Sequence, residues 1–259
     1  MKYKTKCLLD RLVPILSRWP GVECISLNEA ALPDTLDPYF ALILDVFYTE
    51  GIPLSGERKS RYGDDIAAFE TTNMEKKDRF LVGDLPVRIE YKSLVQIEEL
   101  VSFLDAKRES IWLIKDSGTY GFYRLARGEI LFSRSGWIKK IQNRLLAPED
   151  EFWFRLREAN QSKMEHFLSD LGAALIQEDD FYYLISSASF IKYACLTLFC
   201  LNRRFEPSHR AYYRQVLELP ELPESFSVRL ETFLRGNPEI TMERKYSLAQ
   251  LIGRSIVVM

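Results

Sequence analysis

Phe40-Ala41-Leu42-Ile43-Leu44-Asp45-Val46-Phe47-Tyr48 is an apolar run of strand length interrupted by one carboxylate. Continuous rather than alternating apolarity predicts a strand covered on both faces, the pattern of a central strand in a layered sheet. Gly51-Ile52-Pro53 ends it. A lone carboxylate inside such a strand is costly to bury unless it is paired, protonated or bound to metal. Asp45 is therefore the first candidate functional residue. Three kinds of partner remain open for it: a divalent cation shared with other carboxylates, a basic side chain, or a backbone cap at the strand end.

Working outward from this strand, residues 7–18 place Leu8, Leu9, Leu12, Val13, Ile15 and Leu16 among charges. They predict an amphipathic helix, bent or broken at Pro14. Pro20-Gly21 stops it, Val22–Ser26 is a short strand, and residues 28–38 form a loop. Residues 55–65, with Arg58, Lys59, Arg61, Asp64 and Asp65, predict a solvated loop or lid. The charge run Lys76-Lys77-Asp78-Arg79 offers groups for binding phosphate, though such a run reads more simply as a solvated face. Beyond Pro86, Val87, Ile89 and Tyr91 alternate with Arg88 and Glu90, as in a strand with one apolar face. A helix over 95–107 carries the stripe Ile97, Leu100, Val101 and Leu104. Ile111–Lys115 predicts a strand, and residues 120–132 predict a hairpin around Arg127-Gly128.

After Leu145 the pattern changes. Pro148-Glu149-Asp150 is a helix start, with proline and acids in the first turn. Helices are predicted over 151–171, 180–202, 208–218, 224–235 and 238–252. The expected class is α+β: a mixed α/β domain over 1–146 followed by an all-α domain over 147–259.

Composition narrows the chemistry. The 259 residues carry 35 Lys+Arg against 37 Asp+Glu, a formal net charge of -2. That balance gives no global electrostatic drive toward bulk nucleic acid. His166 and His209 are the only histidines, so mechanisms built on several histidines are excluded. Cys195 and Cys200 are spaced C-x4-C without a second pair, a poor zinc signal. The N-terminal apolar stretch is interrupted by Asp10 and Arg11, unlike a signal peptide. The apolar stretch Ala188–Leu201 is shorter than the roughly 20 residues a membrane span needs. The expectation is a cytoplasmic protein without a membrane segment.

No phosphate-loop, dinucleotide, zincin or nucleophile-elbow motif is present. Carboxylates remain as the natural chemical groups. Glu90 and Arg88 project from the same face of the strand after Pro86. Asp45 with Glu90 would form a two-carboxylate magnesium site suited to phosphate substrates. Asp45 with Arg88 would form an ion pair and no metal site.

The order of these elements resembles the nucleotidyltransferase superfamily, which includes kanamycin nucleotidyltransferase and DNA polymerase beta. In that family a Gly-Ser turn after the first strand holds a nucleoside triphosphate. An Asp-x-Asp pair on the next strand and a third acid on a later strand bind two magnesium ions. Here Ile25-Ser26-Leu27-Asn28-Glu29-Ala30 stands at the turn, Asp37-Pro38-Tyr39-Phe40 leads in, and Asp45 matches the second acid. Val87–Ser93 stands at the third strand. The segments Leu198–Pro207 and Tyr212–Leu222 resemble bacterial nucleotidyltransferase-like proteins. The resemblance implies Asp45 and Glu90 as catalytic and magnesium-binding residues, and Ser26, Asn28 and Arg88 as nucleotide-binding residues.

The departures are specific. Ile43 replaces the first acid, and Leu27-Asn28 replaces the Gly-Ser turn. Isoleucine offers no metal ligand, and a leucine side chain crowds the backbone approach a phosphate needs. Three readings follow. The first is a nucleotidyltransferase-like protein with a degenerate site that binds a nucleotide, small molecule or partner. The second is an active magnesium-dependent enzyme moving a nucleoside monophosphate to a hydroxyl acceptor, with Glu29, Asp34, Asp37, Asp64 or Asp65 assisting. The third is a protein-interaction module, self-associating or offering aromatics such as Trp153, Tyr212 and Tyr213 on its helical half.

Overall fold

Strand β2 (Leu42–Tyr48) is buried along its whole length and sits inside a six-stranded sheet. This is the covered strand that its continuous apolar sequence predicts. The computed structural model describes residues 3–28, 42–72, 74–105, 118–235 and 240–259. The loop acids Glu29, Asp34 and Asp37, and the strand expected over 111–115, lie outside the described residues.

The chain divides into two units. The first comprises Met1–Leu104 with Gly121–Ala147, and the second Asp105–Tyr120 with Pro148–Met259. In the first, α1 (Tyr3–Ser17) and β1 (Val22–Leu27) precede β2. Then come α2 (Ser55–Tyr62), β3 (Ile66–Thr72), β4 (Lys77–Val82), β5 (Leu85–Ser93) and α3 (Leu94–Val101). The unit ends with α4 (Tyr120–Arg127, from its second residue), β6 (Glu129–Ser133) and α5 (Trp137–Leu146). Strand order is β3-β4-β5-β2-β1-β6. β2 runs parallel to β5 and antiparallel to β1, and β4 is antiparallel to both β3 and β5.

Side chains alternate across a strand, so the sheet has two distinct faces. One carries Leu42, Leu44 and Val46 with Val87, Ile89 and Tyr91, packed with Leu8, Leu12 and Leu16 of α1 into one core. The other carries Ser26, Asp45 and Glu90. The helix α1 continues through Pro14 instead of breaking there. Leu12 and Leu16, one turn apart around the proline, are both fully buried, and that packing offsets the missing backbone bond.

Three further expectations are corrected. Residues 55–62 form helix α2 rather than a solvated loop. Its inward face is made of Arg58 and Tyr62, both fully buried. Arg58 donates from Nε and Nη2 to the two oxygens of Asp78, each at 2.8 Å. Tyr62 and Tyr91 each donate to Asp78 Oδ2 at 2.7 Å. Residues 76–79 are therefore not a solvated charge run, since Asp78 has no exposure at all. Residues 120–127 form helix α4, not the first arm of a hairpin. Gly128 ends that helix, its N–H donating to Arg124 O at 2.9 Å. A Cβ at Gly128 would stand 3.0 Å from Arg124 O and 3.1 Å from Ser26 Oγ, so glycine lets the helix end come down on β1.

The second unit is helical: α6 (Asp150–Ile176), α7 (Asp180–Leu201), α8 (Tyr212–Leu217), α9 (Phe226–Leu234) and α10 (Met242–Val257). Its core joins Met164 and Leu171 of α6, Phe190 and Leu198 of α7, and Ile252 and Ile256 of α10. Asp179 caps α7, its carboxylate accepting from Tyr182 N at 2.9 Å. Helix α7 extends well before Ala188. At 22 residues, with its most apolar 18-residue window at mean hydropathy 1.7, it is long and apolar enough to cross a membrane by length and composition, and half of that window is buried inside the protein.

Candidate functional site

The polar face of the sheet is organised by register. Asp45 of β2 lies directly beside Glu90 of the parallel β5 and opposite Ser26 of the antiparallel β1. Ile43 lies beside Arg88, and Phe47 beside Lys92. On the far side of β5, Lys77 faces Glu90 and Arg79 faces Arg88. The sequence thus brings Asp45, Glu90, Ser26 and Arg88 onto one face. Asn28 follows β1, and its N–H donates to Ile43 O at 3.1 Å.

Helix α4 supplies the residue that joins the two acids. Arg124, 7% exposed at its side chain, donates from Nη2 to Asp45 Oδ1 at 2.5 Å. Its Nη1 donates to Glu90 Oε2 at 2.8 Å. The planar guanidinium therefore bridges both carboxylates, the geometry for which arginine is suited. Lys92 stands 2.9 Å from Asp45 Oδ2 and 3.7 Å from Glu90 Oε2. Glu90 also accepts from Arg88, and Lys77 Nζ stands 3.7 Å from its Oε1. The sequence left Asp45 open to Glu90 or Arg88. In the fold Asp45 pairs with Arg124 and Lys92, and Arg88 pairs with Glu90.

The electrostatics follow from that geometry. Burial opposes ionisation of Asp45, but Lys92 and Arg124, with Asn28 beside them, outweigh it and hold the carboxyl below its ordinary value. Lys92 moves the other way. Burial lowers its amine to about 8 against the opposing pull of Asp45, with Arg124 and Arg88 adding to the depression. Lys77 is also lowered, by burial and then by Arg88, Arg79 and Arg124. The Asn28 side chain is 3% exposed, yet neither its Nδ2 nor its Oδ1 has a well-formed hydrogen bond among the described residues. The nearest polar influence on it is the Asp45 carboxylate, which it helps to hold ionised, and an amide so incompletely bonded is a place where a ligand or water group would be stabilised.

These residues do not fit a magnesium ion. Two carboxylates would supply hard oxygen ligands, but a guanidinium already spans them and two ammonium groups and Arg88 crowd the same oxygens. A divalent cation would have to displace those fixed charges. Among the described residues no group of three or more His, Cys, Asp or Glu is placed to hold a metal.

Sequence reasoning missed Arg124 and Lys92. Lys92 was within reach, because it continues the Arg88, Glu90 alternation by one more step. Arg124 was hidden by the hairpin assigned to its segment. Elsewhere, a cleft of about 560 Å³ along β6 is lined by Gly128, Glu129, Ile130, Ser133, Gly136, Lys139 and Gln142, and neither Asp45 nor Glu90 lines it. His166 and His209 are surface residues, 70% and 81% exposed at their side chains. Of the aromatics expected on the helical surface, Trp153 is buried against Phe205 and Tyr212 packs on Phe199; Tyr213 is exposed.

The solved structure of a nucleotidyltransferase-like protein from Exiguobacterium sibiricum 255-15 is similar to this chain. It matches over 98% of this chain and 74% of that one, at a TM-score of 0.50 and 12% sequence identity. The fold is nucleotidyltransferase-like: a mixed six-stranded sheet with flanking helices and a helical C-terminal region. No protein-family model matches the sequence, and no curated protein matches it.

Proposed function

We propose that this chain uses a nucleotidyltransferase-like fold to bind a phosphate-bearing ligand, a nucleotide or a smaller phosphorylated molecule, without transferring a nucleotidyl group. The observation that carries this reading is the Arg124 bridge between Asp45 and Glu90. Two-metal transfer needs carboxylates free to ligate cations, and these are neutralised by the protein's own side chains. Ile43, beside Arg88 in the register, supplies no ligand in their place. What the face does offer is Lys77, Arg88, Lys92 and Arg124 around the two acids, with the Asn28 amide at the end of β1. Cationic side chains and a buried amide without a well-formed hydrogen bond suit phosphate oxygens. Ser26, Asn28 and Arg88 are the residues assigned to ligand contact, and Asp45 and Glu90 position the cations.

The test is calorimetric titration of the purified chain with nucleoside mono-, di- and triphosphates and with inorganic phosphate, in EDTA and in excess magnesium. Binding of equal strength in both buffers supports the reading. Magnesium-dependent release of pyrophosphate from a labelled triphosphate, abolished by Asp45→Asn, overturns it in favour of an active enzyme.

A further inference from the structure

The N-terminal half of α7 carries an apolar stripe that the described chain leaves uncovered. Phe181, Leu184 and Ile185 are 73%, 66% and 47% exposed, and Ala188 is exposed with them. Their spacing of i, i+3, i+4 and i+7 puts them on one side of the helix. The other side, Tyr183, Ser186 and Phe190, is buried in the second unit's core. Further along α7 the stripe's own side continues through Cys195 and Phe199, and there it is buried. The Tyr212 ring packs on Phe199 at 5.3 Å, and the Tyr212 hydroxyl donates to Lys192 O at 3.4 Å. One side of one helix is thus core-like in its second half and bare in its first. The transition falls near Lys192.

We propose that this stripe is the contact surface of a homodimer in which α7 packs antiparallel on α7 of a second copy. The charges at its two ends select that arrangement. Asp180 flanks the stripe at its start, and Lys192, half-buried with its ammonium 5.4 Å from the Tyr193 ring centroid, continues it one turn beyond Ala188. An antiparallel pair sets Asp180 of each copy near Lys192 of the other, whereas a parallel pair would oppose like charges. The stripe is also self-complementary in size. With the two-fold axis near Ser186, Leu184 of one copy lies over Ala188 of the other, a large side chain against a small one.

The area fits an equilibrium dimer. Three large apolar side chains with their flanking groups offer roughly 500 Å² per copy, so about 1,000 Å² for the pair, at the lower edge of specific interfaces. Burying that surface between two proteins suits the stripe better than burying it in an anionic membrane. Glu178, Asp179 and Asp180 crowd one end, and acidic side chains are repelled by acidic lipid.

Sedimentation velocity and light scattering on the full chain over a concentration series test this. The wild type is expected to show a reversible monomer–dimer equilibrium. Leu184→Glu should raise the dissociation constant by about 10-fold or more. Asp180→Lys and Lys192→Asp should each weaken the dimer severalfold, and the double exchange should recover most of the loss. Far-ultraviolet circular dichroism with a thermal melt confirms that each variant is folded, and Leu184 is exposed enough that its replacement leaves the core alone. A chain that stays monomeric throughout overturns the proposal, and so does a dimer indifferent to Leu184→Glu. Flotation of the wild type with phosphatidylcholine vesicles, lost in Leu184→Glu, would reassign the stripe to lipid.

Discussion

Arg124 donates to Asp45 Oδ1 at 2.5 Å from a helix that the sequence places 79 positions downstream. Its second amino group reaches Glu90. The guanidinium occupies the space between two carboxylates on adjacent parallel strands. Arg124→Ala removes the bridge and leaves two largely buried acids with Lys92, Lys77 and Arg88. Removing one partner of a buried ion pair costs about 3–5 kcal/mol. Urea unfolding should show that loss in EDTA. Magnesium should leave both proteins unchanged, because Lys92, Lys77 and Arg88 still hold the two carboxylates. A variant as stable as the wild type would show that the bridge contributes nothing to the fold, and one stabilised by magnesium would show that the arginine alone keeps a cation from the two acids.

Asp45→Asn tests the same cluster from the acid side. Asp45 is 1% exposed, and its ionised form holds Lys92 and Arg124. Its pKa is lowered in the folded state, so its contribution is full above the unfolded value of about 3.9 and is lost as pH falls through the folded value. The wild type should therefore lose stability across the acid range more steeply than Asp45→Asn. At neutral pH the variant should be less stable by a few kcal/mol, on the order of the cost of unpairing a buried charge. Thermal melts from neutral to strongly acidic pH measure both. A variant with an unchanged melting temperature at neutral pH would return Asp45 to a purely functional role.

Lys92 gives a prediction with the opposite sign of protonation. Its folded value is about 8 against an ordinary 10.5. Between those limits the unfolded chain binds more protons than the folded one, so stability rises with pH. Below about 8 the folded state carries the full cost of a charged, desolvated amine. Lys92→Arg does not titrate in this window. Unfolding free energies from pH 7.5 to 10.5 should rise for the wild type relative to Lys92→Arg. Parallel curves for the two proteins would contradict the depressed amine.

The parts of this fold that were legible in sequence are those whose burial is apolar. The run ending Leu42–Tyr48 reports a covered strand because every residue but one is hydrophobic. Val87, Ile89 and Tyr91 report a two-faced strand, and the structure buries all three. The register of β2 on β5, seen only in the fold, places Asp45 beside Glu90. What the sequence concealed is burial by charge. Arg58 and Asp78 are among the most completely buried side chains, yet both lie in stretches that read as solvated. Their partners are 20 positions apart, and no local pattern reports a match at that distance. Arg124 was missed for a different reason. Arg127-Gly128 fits a hairpin turn as well as a helix end, and only the descent of α4 onto Ser26 decides between them.

Asp78 is the last test, because it separates stability from the ligand face. It lies on the core side of the sheet, opposite Asp45. It accepts from Arg58 Nε and Nη2 and from the hydroxyls of Tyr62 and Tyr91. Arg58 donates in addition to Pro53 O at 2.7 Å and Glu75 O at 2.9 Å, so the network ties α2 and its flanking segments to β4. Asp78→Ala leaves a fully buried guanidinium without its counter-charge, and the Tyr62 and Tyr91 hydroxyls, which also contact each other, with one donor between them unpaired. The expected cost is about 3–5 kcal/mol, read as a lower urea midpoint. Arg58→Met with Asp78→Leu exchanges the pair for apolar groups of comparable size. That double variant should recover much of the loss, since the desolvation cost goes with the charges. Below the unfolding transition it should bind phosphate ligands as the wild type does. A double variant that folds but no longer binds would mean that this network, and not the Arg124 cluster alone, shapes the ligand face.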